Sequence, residues 1–478
     1  MYALSRELRS MLPYALLMIL LMGCAAIIAR TPPTLAVLAA FGIAVLVLSF
    51  VSTEIALYVL ILSMLLTPDI GLGGGGASTG GQEARREVAI RIDDLLLVVI
   101  GCGWLAKNAI FKELGLVRKT ALNRPILLYM VACAVSTGFG MMGEDGLRPL
   151  AGFFFVLKFF EYYVVYFMVV NHVQERKQVK AFLIAMLVVC AVAGLIGLAQ
   201  IPGGGRVVAP FEGDKSEPNT FGGYLVLMLS IVLGLLLTVP SWRQKGYLFV
   251  LIPLILLPLL ATLSRSSWSA LIPMYFTLMI LHKRRAALVI VLILAVLVGP
   301  LLLPANVKKR FMYTFTEEKG WSKKVAGSVA LDASSSARLD SWKQALEGWT
   351  RRPLLGFGVT GFYFLDAQYF RVLVETGVVG LAAFLWLITT LFREALRAYR
   401  QAQDPLFKGL SMGFIAGFVA MLTHAISSNT FIIVRIMEPF WFLAGLVILL
   451  PTLEAPARAE LQESSMALVT AASTPTSA

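Results

Sequence analysis

The chain has 478 residues, of which 58% are hydrophobic and only 14% are charged, and its formal net charge is +13. This composition excludes a soluble domain, because a soluble fold of that length cannot bury so much apolar surface. Most of the positive charge falls in short loops between apolar segments, so it predicts a membrane topology and indicates no nucleic-acid partner.

Apolar segments of bilayer-spanning length follow one another along most of the chain. A spanning helix needs about 20 residues, and in lipid only a helix satisfies the backbone of such a segment from within. The sequence therefore predicts an all-α polytopic membrane protein with about 12–14 transmembrane helices. The segments lie near residues 11–29, 33–51, 53–67, 94–111, 125–141, 149–171, 180–200, 218–240, 247–263, 267–281, 287–305, 370–391, 409–427 and 435–451.

Lysine and arginine gather in every second loop between these segments. The positive-inside rule places such loops, together with both termini, in the cytoplasm. The basic loops contain Arg6 and Arg9; Lys112, Arg118, Lys119 and Arg124; Arg176, Lys177 and Lys180; Arg243 and Lys245; Lys283, Arg284 and Arg285; and Arg393, Arg397 and Arg400. The loops predicted to face outward are residues 68–92, 142–148, 201–217, 264–266, 306–369 and 428–434.

Two of the outward loops are long. Loop 68–92 is rich in glycine and is predicted to be flexible rather than phosphate-binding, since no strand precedes the glycines. The late loop 306–369 contains an amphipathic stretch, residues 337–350, whose apolar side chains recur at helical spacing and predict a helix on the outer surface. We assign residues 1–452 to one membrane domain and predict that 453–478, rich in Ala, Ser, Thr and Pro, is a disordered cytoplasmic tail.

Charged residues within the membrane are costly, so each requires an explanation. Lys158 and Glu161 lie one turn apart in the sixth apolar segment, where they predict either an internal ion pair or a substrate-handling pair. The four cysteines all fall inside apolar segments. We therefore expect neither a disulfide nor a metal site on the outer side.

Two arginines mark the outer rim of the membrane. Arg206 follows three glycines in an outward loop, and Arg265 occupies a serine-rich turn between two apolar segments. An arginine can hold a phosphate through its planar fork, and a rim of low dielectric strengthens that contact. The alternative for Arg265 is that its side chain only extends to lipid headgroups. Spacing alone favours neither interpretation.

A second polar group enters the twelfth apolar segment from the outer side. It consists of Asp366, Tyr369, Arg371 and Glu375, which follow one another within about two to three helical turns. The carboxylate of Asp366 could act as a general base toward a hydroxyl, or it could cap the helix. His424 is the histidine that approaches the outer side, where it could be a base or could form a hydrogen bond between helices.

The order of several motifs along the chain is informative. Early in the series, Arg206 precedes Pro218-Asn219-Thr220-Phe221, and the turn Ser264-Arg265-Ser266 follows. The late loop and the next helix add Arg338, Trp342, Pro353, Gly356, Phe357, Gly358, Tyr369, Leu373, Glu375, Gly377 and Gly380. Together, over roughly residues 150–450, these features resemble the O-antigen ligase / O-antigen polymerase superfamily.

The resemblance implies a membrane glycosyltransferase that moves a glycan from undecaprenyl diphosphate to an acceptor hydroxyl, on the periplasmic face of the bacterial inner membrane. It implies inversion at the anomeric carbon without a metal or other cofactor. Arg206 and Arg265 would hold the donor diphosphate, and Arg338, Tyr369, Arg371 and Glu375 are the expected supporting residues of the site. The expected partners are the lipid-linked oligosaccharide, the acceptor glycan, membrane lipids and other polysaccharide export proteins.

One departure from the family bears on the type of transfer. Ligases carry a His-Asn pair just ahead of the position that Tyr369 matches, whereas this chain has Asp366-Ala367. The departure favours a polymerase of O-antigen or exopolysaccharide repeat units, with Asp366 in the place of the base, over a ligase that joins glycan to lipid A-core. His424 is the competing candidate for the base.

Two further classes of protein compete with an enzyme. A transporter or flippase for lipid-linked glycans would explain the many helices and the intramembrane charges. Transporters often have repeated halves with broken helices near the midplane, and neither feature is evident in this sequence. A non-catalytic assembly subunit is the third alternative.

Overall fold

A computed structural model describes most of the chain, and most of the described residues are helical. The predicted apolar segment 11–29 and residues 68–91 of the glycine-rich loop lie outside the described part. The described residues are 33–67, 92–111, 118–142, 149–211, 217–283, 285–302, 307–308, 324–325, 329–330, 333–362 and 365–473.

Within these ranges the chain forms fourteen α-helices and one antiparallel pair of two-residue strands, β1 (Lys324–Val325) and β2 (Val329–Ala330). The helices are α1 (Pro33–Val51), α2 (Thr53–Leu66), α3 (Ile92–Phe111), α4 (Asn123–Met141), α5 (Pro149–His172), α6 (Arg176–Gln200), α7 (Pro218–Thr238), α8 (Trp242–Ala261), α9 (Arg265–Leu281), α10 (Arg285–Leu302), α11 (Ala333–Arg351), α12 (Gln368–Gln401), α13 (Pro405–His424) and α14 (Val434–Ser473).

The described helices confirm an all-α polytopic membrane protein. Among them, 8 are long and apolar enough to cross a membrane, and three shorter ones are apolar as well. The sequence predicted about 12–14 spans of about 20 residues. The number among the described residues is lower partly because the segment 11–29 lies outside them, and partly because α2 and α9 have only 14 and 17 residues.

Two predictions outside the membrane segments meet different outcomes. The amphipathic stretch 337–350 lies within α11, as its spacing predicts. At the other end of the chain, α14 continues to Ser473, through residues for which the composition predicted a disordered tail. The alanines in that stretch are strong helix formers, and they allow the last membrane helix to continue.

Two contacts between loops agree with the alternation that the sequence predicts. At the end predicted to face outward, the Nε of Arg206 donates a hydrogen bond to the carbonyl oxygen of Thr262 at 2.9 Å. At the other end, Arg176 forms an ion pair with Asp404. These two contacts lie near opposite ends of α6, whose 25 residues span about 37 Å.

Helices α7 and α13 pack closely along their length and form the centre of the fold. A Cβ atom at Gly413 would lie 2.6 Å from the carbonyl oxygen of Ser230, so only glycine permits this approach. Small residues at four-residue spacing are typical of closely packed membrane helices. The close contact is made by Gly409, Gly413 and Gly417 of α13 and by Ser230 and Gly234 of α7.

Helix α12 is interrupted at Gly377, whose φ of 65° and ψ of −169° are not helical. Lipid cannot satisfy the backbone groups that such a break frees. Residues 353–361, here called the wrapping segment, supply the partners instead. The hydrogen bonds are Phe357 N–H to Val374 O (3.0 Å), Gly358 N–H to Glu375 O (2.8 Å) and Val378 N–H to Pro353 O (2.9 Å).

The break therefore explains the motif Pro353…Gly356-Phe357-Gly358 structurally. It also revises an expectation, because no broken helix was evident from the sequence. The interruption lies about 14 Å from the start of α12 and divides it into a short outer segment, residues 368–376, and a longer remainder.

We expect the substitution Gly377→Ala to destabilise the protein by about 2 kcal/mol or more, because the left-handed φ strains an L side chain. A Cβ atom there would also lie 2.1 Å from the carbonyl oxygen of Leu354. Thermal unfolding of the purified protein in detergent measures the effect. Gly138→Ala in α4 is the matched control, since its Cβ would meet nothing within 4 Å. Equal melting temperatures for the two variants would contradict the account of the break.

Candidate functional site

The turn between α8 and α9 brings the two predicted arginines together. Arg206 is exposed, and its guanidinium donates to the carbonyl oxygens of Thr262 (2.9 Å) and Leu263 (3.5 Å). Leu263 has a φ of 52°, a left-handed conformation that costs a non-glycine residue about 1–3 kcal/mol. Arg265 is the first residue of α9, two positions farther along. Arg206 therefore contacts the turn that leads directly into Arg265.

A chain of hydrogen-bonded hydroxyl groups connects this turn to the buried interior. Ser264 caps α9 by accepting a hydrogen bond from the backbone of Ser267, and its hydroxyl donates to Asn219 Oδ1 at 2.7 Å. The Ser267 hydroxyl lies 2.9 Å from that of Ser264 and 3.2 Å from His424 Nε2. The other ring nitrogen of His424 lies 2.7 Å from the Thr430 hydroxyl. His424 is thus fully buried with both nitrogens engaged.

Residues 425–433, here called the bridging loop, join the arginine turn to the start of α12. On one side, the hydroxyl of Ser427 donates to that of Ser266 in α9 at 2.8 Å. On the other side, Asn429 Nδ2 donates to the Leu365 carbonyl at 2.6 Å and lies 3.4 Å from Asp366 Oδ1. Asp366 is partly exposed and immediately precedes the first segment of α12. A few hydrogen bonds therefore connect the arginine turn with the candidate base.

The first segment of α12 is fixed on several sides. The Tyr369 hydroxyl donates to the carbonyl oxygen of Leu422 at 2.8 Å. Arg371 pairs with Glu375 at 2.9 Å, and both side chains are almost completely buried. Glu375 also accepts a hydrogen bond from the Thr360 backbone at 3.1 Å, so the wrapping segment reaches this ion pair.

Helix α11 completes the candidate site. Arg338, in its first half, lies within electrostatic range of the buried His424. Trp342, one turn later, stacks on Phe370 of α12 with ring centroids 5.0 Å apart. The amphipathic helix thus lies against the outer segment of α12, next to the bridging loop.

Two buried charges outside this group act between helices. Lys158 of α5 forms an ion pair with Asp94 of α3 at 2.7 Å, a partner in another helix that the sequence did not identify. Arg435 of α14 donates to the carbonyl oxygens of Pro210 (3.0 Å) and Thr67 (3.2 Å), which anchors the loop that carries Arg206. These contacts stabilise the surroundings of the site.

The described structure brings the predicted residues Arg206, Arg265, Arg338, Asp366, Tyr369, Arg371, Glu375 and His424 to one end of the protein. Sequence reasoning missed the polar residues that connect them. Uncharged side chains in apolar surroundings could have indicated them, since buried polar groups require partners. The missed residues are Ser267, Gln368, Ser427, Asn429 and Thr430, whereas Asn219 and Ser264 were identified as parts of motifs without a role.

The arrangement offers a positively charged surface beside a partly exposed carboxylate. Arginine side chains stabilise phosphate charge, and a carboxylate can accept a proton from a hydroxyl. Within the described residues, no group of three or more His, Cys, Asp or Glu side chains could hold a metal ion. The chemistry that this surface can support is therefore binding of a phosphorylated compound next to a general base.

Residues 250–385 match the sequence model of a family described as O-antigen ligase (Wzy_C). The matched stretch runs from within α8 to within α12, and it contains all the predicted site residues except Arg206 and His424. A comparison with curated proteins found no match to the chain. Over the stretch that it covers, residues 250–385, the family match confirms the resemblance to the O-antigen ligase / O-antigen polymerase superfamily of glycosyl-transferring membrane proteins.

Proposed function

We propose that the protein transfers a glycan from an undecaprenyl diphosphate carrier to a sugar hydroxyl, on the periplasmic face of the bacterial inner membrane. Both chain termini would lie in the cytoplasm. The proposal is supported above all by the hydrogen bonds of the bridging loop. This loop hydrogen-bonds to Ser266 beside Arg265 and to Asp366, so that a cationic surface and a carboxylate belong to one site.

The proposed reaction has one chemical step. Asp366 accepts the proton of the acceptor hydroxyl, whose oxygen attacks the anomeric carbon of the donor sugar. The bond from that carbon to the diphosphate oxygen breaks on the opposite face, and undecaprenyl diphosphate leaves with the electron pair. Arg206 and Arg265 neutralise the charge that develops on the leaving group, the largest electrostatic requirement of such a transfer. The configuration of the anomeric carbon is inverted.

Two acceptors remain in competition, and each has an observation in its favour. Asp366-Ala367, in place of the His-Asn pair of ligases, favours polymerisation of O-antigen or exopolysaccharide repeat units. The match to a family described as O-antigen ligase favours transfer to lipid A-core. We adopt the polymerase as the first candidate because the difference falls on the base itself.

Purified protein in lipid nanodiscs, supplied with undecaprenyl-diphosphate-linked repeat units, tests the proposal. We expect chain elongation, and we expect the rate to be unchanged by EDTA because arginines supply the positive charge. Transfer to added lipid A-core, without elongation, would identify a ligase. Absence of both products, together with movement of intact lipid-linked units across proteoliposomes, would contradict the enzyme and favour a transporter.

A further inference from the structure

Three buried side chains next to Asp366 carry polar atoms without a hydrogen-bond partner among the described residues. They are Gln368, Arg371 and Asn429, and each is at least nine-tenths buried. The atoms concerned are Gln368 Nε2, Arg371 Nε and Nη1, and Asn429 Oδ1. An unsatisfied buried polar group costs about 1–3 kcal/mol, so a cluster of such groups requires a reason.

The three side chains belong to one place in the fold. Gln368 and Arg371 lie three residues apart on the first segment of α12, hence on the same helix face. Gln368 accepts a hydrogen bond from the backbone of Phe431 at 3.1 Å. Asn429, two residues before Phe431, lies 3.4 Å from Asp366. The side chains that carry the unpartnered groups therefore belong to two short segments, the start of α12 and the bridging loop, which meet at Asp366.

Each side chain is held at one end, which leaves the other end for a ligand. Gln368 is fixed through its carbonyl oxygen and retains its amide hydrogens. Arg371 is fixed by Glu375 through Nη2 and retains the hydrogens on Nε and Nη1. Asn429 is fixed through its amide hydrogens and retains an acceptor oxygen. The cluster thus presents both donors and an acceptor.

We propose that Gln368, Arg371 and Asn429 form the subsite for the acceptor sugar, which they hold with one hydroxyl directed at Asp366. The inference rests on the proposed function and adds the residues that bind the acceptor and its chemical class. A sugar ring carries hydroxyl groups that both donate and accept, and these match the mixed set. Glu375 balances the charge of Arg371 and Asp366 adds a negative charge, so the subsite suits an uncharged sugar better than an acidic one.

One helix covers the flank of this buried subsite. Helix α11 packs on Leu365, Phe370 and Val374, the neighbouring side of the same segment, through Trp342 and Ala345. A small displacement of α11 would widen access from the outer side without disturbing the ion pair of Arg371.

The test uses the full-length protein in nanodiscs and the free repeat-unit oligosaccharide, released from its carrier by mild acid. This probe lacks a leaving group and can act only as an acceptor. Arg371→Lys keeps the charge opposite Glu375, and Gln368→Glu keeps the acceptor for Phe431, while each removes unpartnered donors. We expect both variants to raise the acceptor KM, and the acceptor Kd measured by calorimetry, about tenfold or more. Tenfold corresponds to about 1.4 kcal/mol of binding free energy. The KM of the lipid-linked donor should stay within about twofold of the wild-type value.

The controls separate the inference from the proposed function. Gln344→Glu, an exposed position on α11, should leave both KM values unchanged. The oligosaccharide with its primary hydroxyls oxidised to carboxylates should bind the wild-type protein more weakly. An unchanged acceptor Kd in a folded Arg371→Lys or Gln368→Glu protein would overturn the proposed subsite. Equal losses of donor affinity and acceptor affinity in these variants would overturn it as well. Failure of the wild-type protein to transfer any glycan would overturn the proposed function, whereas calorimetry decides the subsite without turnover.

Discussion

Replacement of Arg265 by alanine is expected to reduce glycan transfer about a hundredfold or more, while the protein level in the membrane stays normal. Loss of one preorganised charge contact to a leaving diphosphate costs about 3 kcal/mol. Arg265 is only partly buried and occupies the first position of α9. The cap that Ser264 provides does not depend on the Arg265 side chain, so the helix is expected to form in the variant.

Substitutions of graded severity distinguish diphosphate binding from a headgroup role. Arg265→Lys should recover only part of the activity, because lysine lacks the planar fork of arginine. Arg206→Ala should cause a loss of similar size, since Arg206 lies against the same turn. The matched control is Arg397→Ala, an exposed arginine near the end of α12 that is predicted to be cytoplasmic. Full activity of Arg265→Ala would mean that the side chain only reaches lipid headgroups.

The membrane topology was the part of the fold that the sequence could predict. Apolar segments and loop charges are local properties, and both depend directly on the difference between lipid and water. The contact between Arg206 and the turn at Thr262 agrees with an assignment of both loops to one side. The number of full spans was harder to predict, because short helices such as α2 are strongly apolar but do not reach full length.

The connections within the site could not be predicted in the same way. Asn429 meets Asp366 across 63 positions of sequence, and Ser427 meets Ser266 across 161. No periodicity links such residues, because the contacts exist only once three helices have packed. The charged candidates could be recognised in the sequence because burial of charge is costly. Serine and asparagine are common in loops, so their presence there does not indicate a functional site.

The break in α12 illustrates the same limit. Gly377 lies in a sequence that reads as a continuous helix, and its conformation depends on the wrapping segment, which begins 24 residues earlier at Pro353. The resemblance identified both parts of this contact as motifs but gave no physical reason for them. The reason is tertiary: two glycines, Gly356 and Gly377, let the two backbones approach where a Cβ would clash.

Substitution of Asp366 by asparagine is expected to lower transfer by about a hundredfold or more, the range expected for loss of a general base. Asparagine keeps the size of the side chain and an oxygen that Asn429 can contact, but it cannot accept a proton at neutral pH. His424→Gln is expected to be milder. His424 is fully buried and both its nitrogens face hydroxyls, so its role is to position Ser267 beneath the arginine turn. Loss of such a hydrogen bond costs about 0.5–1.5 kcal/mol, at most about a tenfold effect.

The pH dependence of the transfer rate, compared among the wild-type protein and the two mutants, decides between the two residues. An acidic limb near pH 4–5 is typical of a carboxylate and one near pH 6–7 of a histidine. If Asp366 is the base, the wild-type limb lies in the lower range, persists in His424→Gln and disappears in Asp366→Asn. The matched control is Glu347→Gln, an exposed carboxylate on α11 whose loss should leave rate and profile unchanged. An active Asp366→Asn protein together with an inactive but folded His424→Gln protein would mean that His424 is the base. The hydroxyl groups that contact His424 would then have to move away from it during turnover.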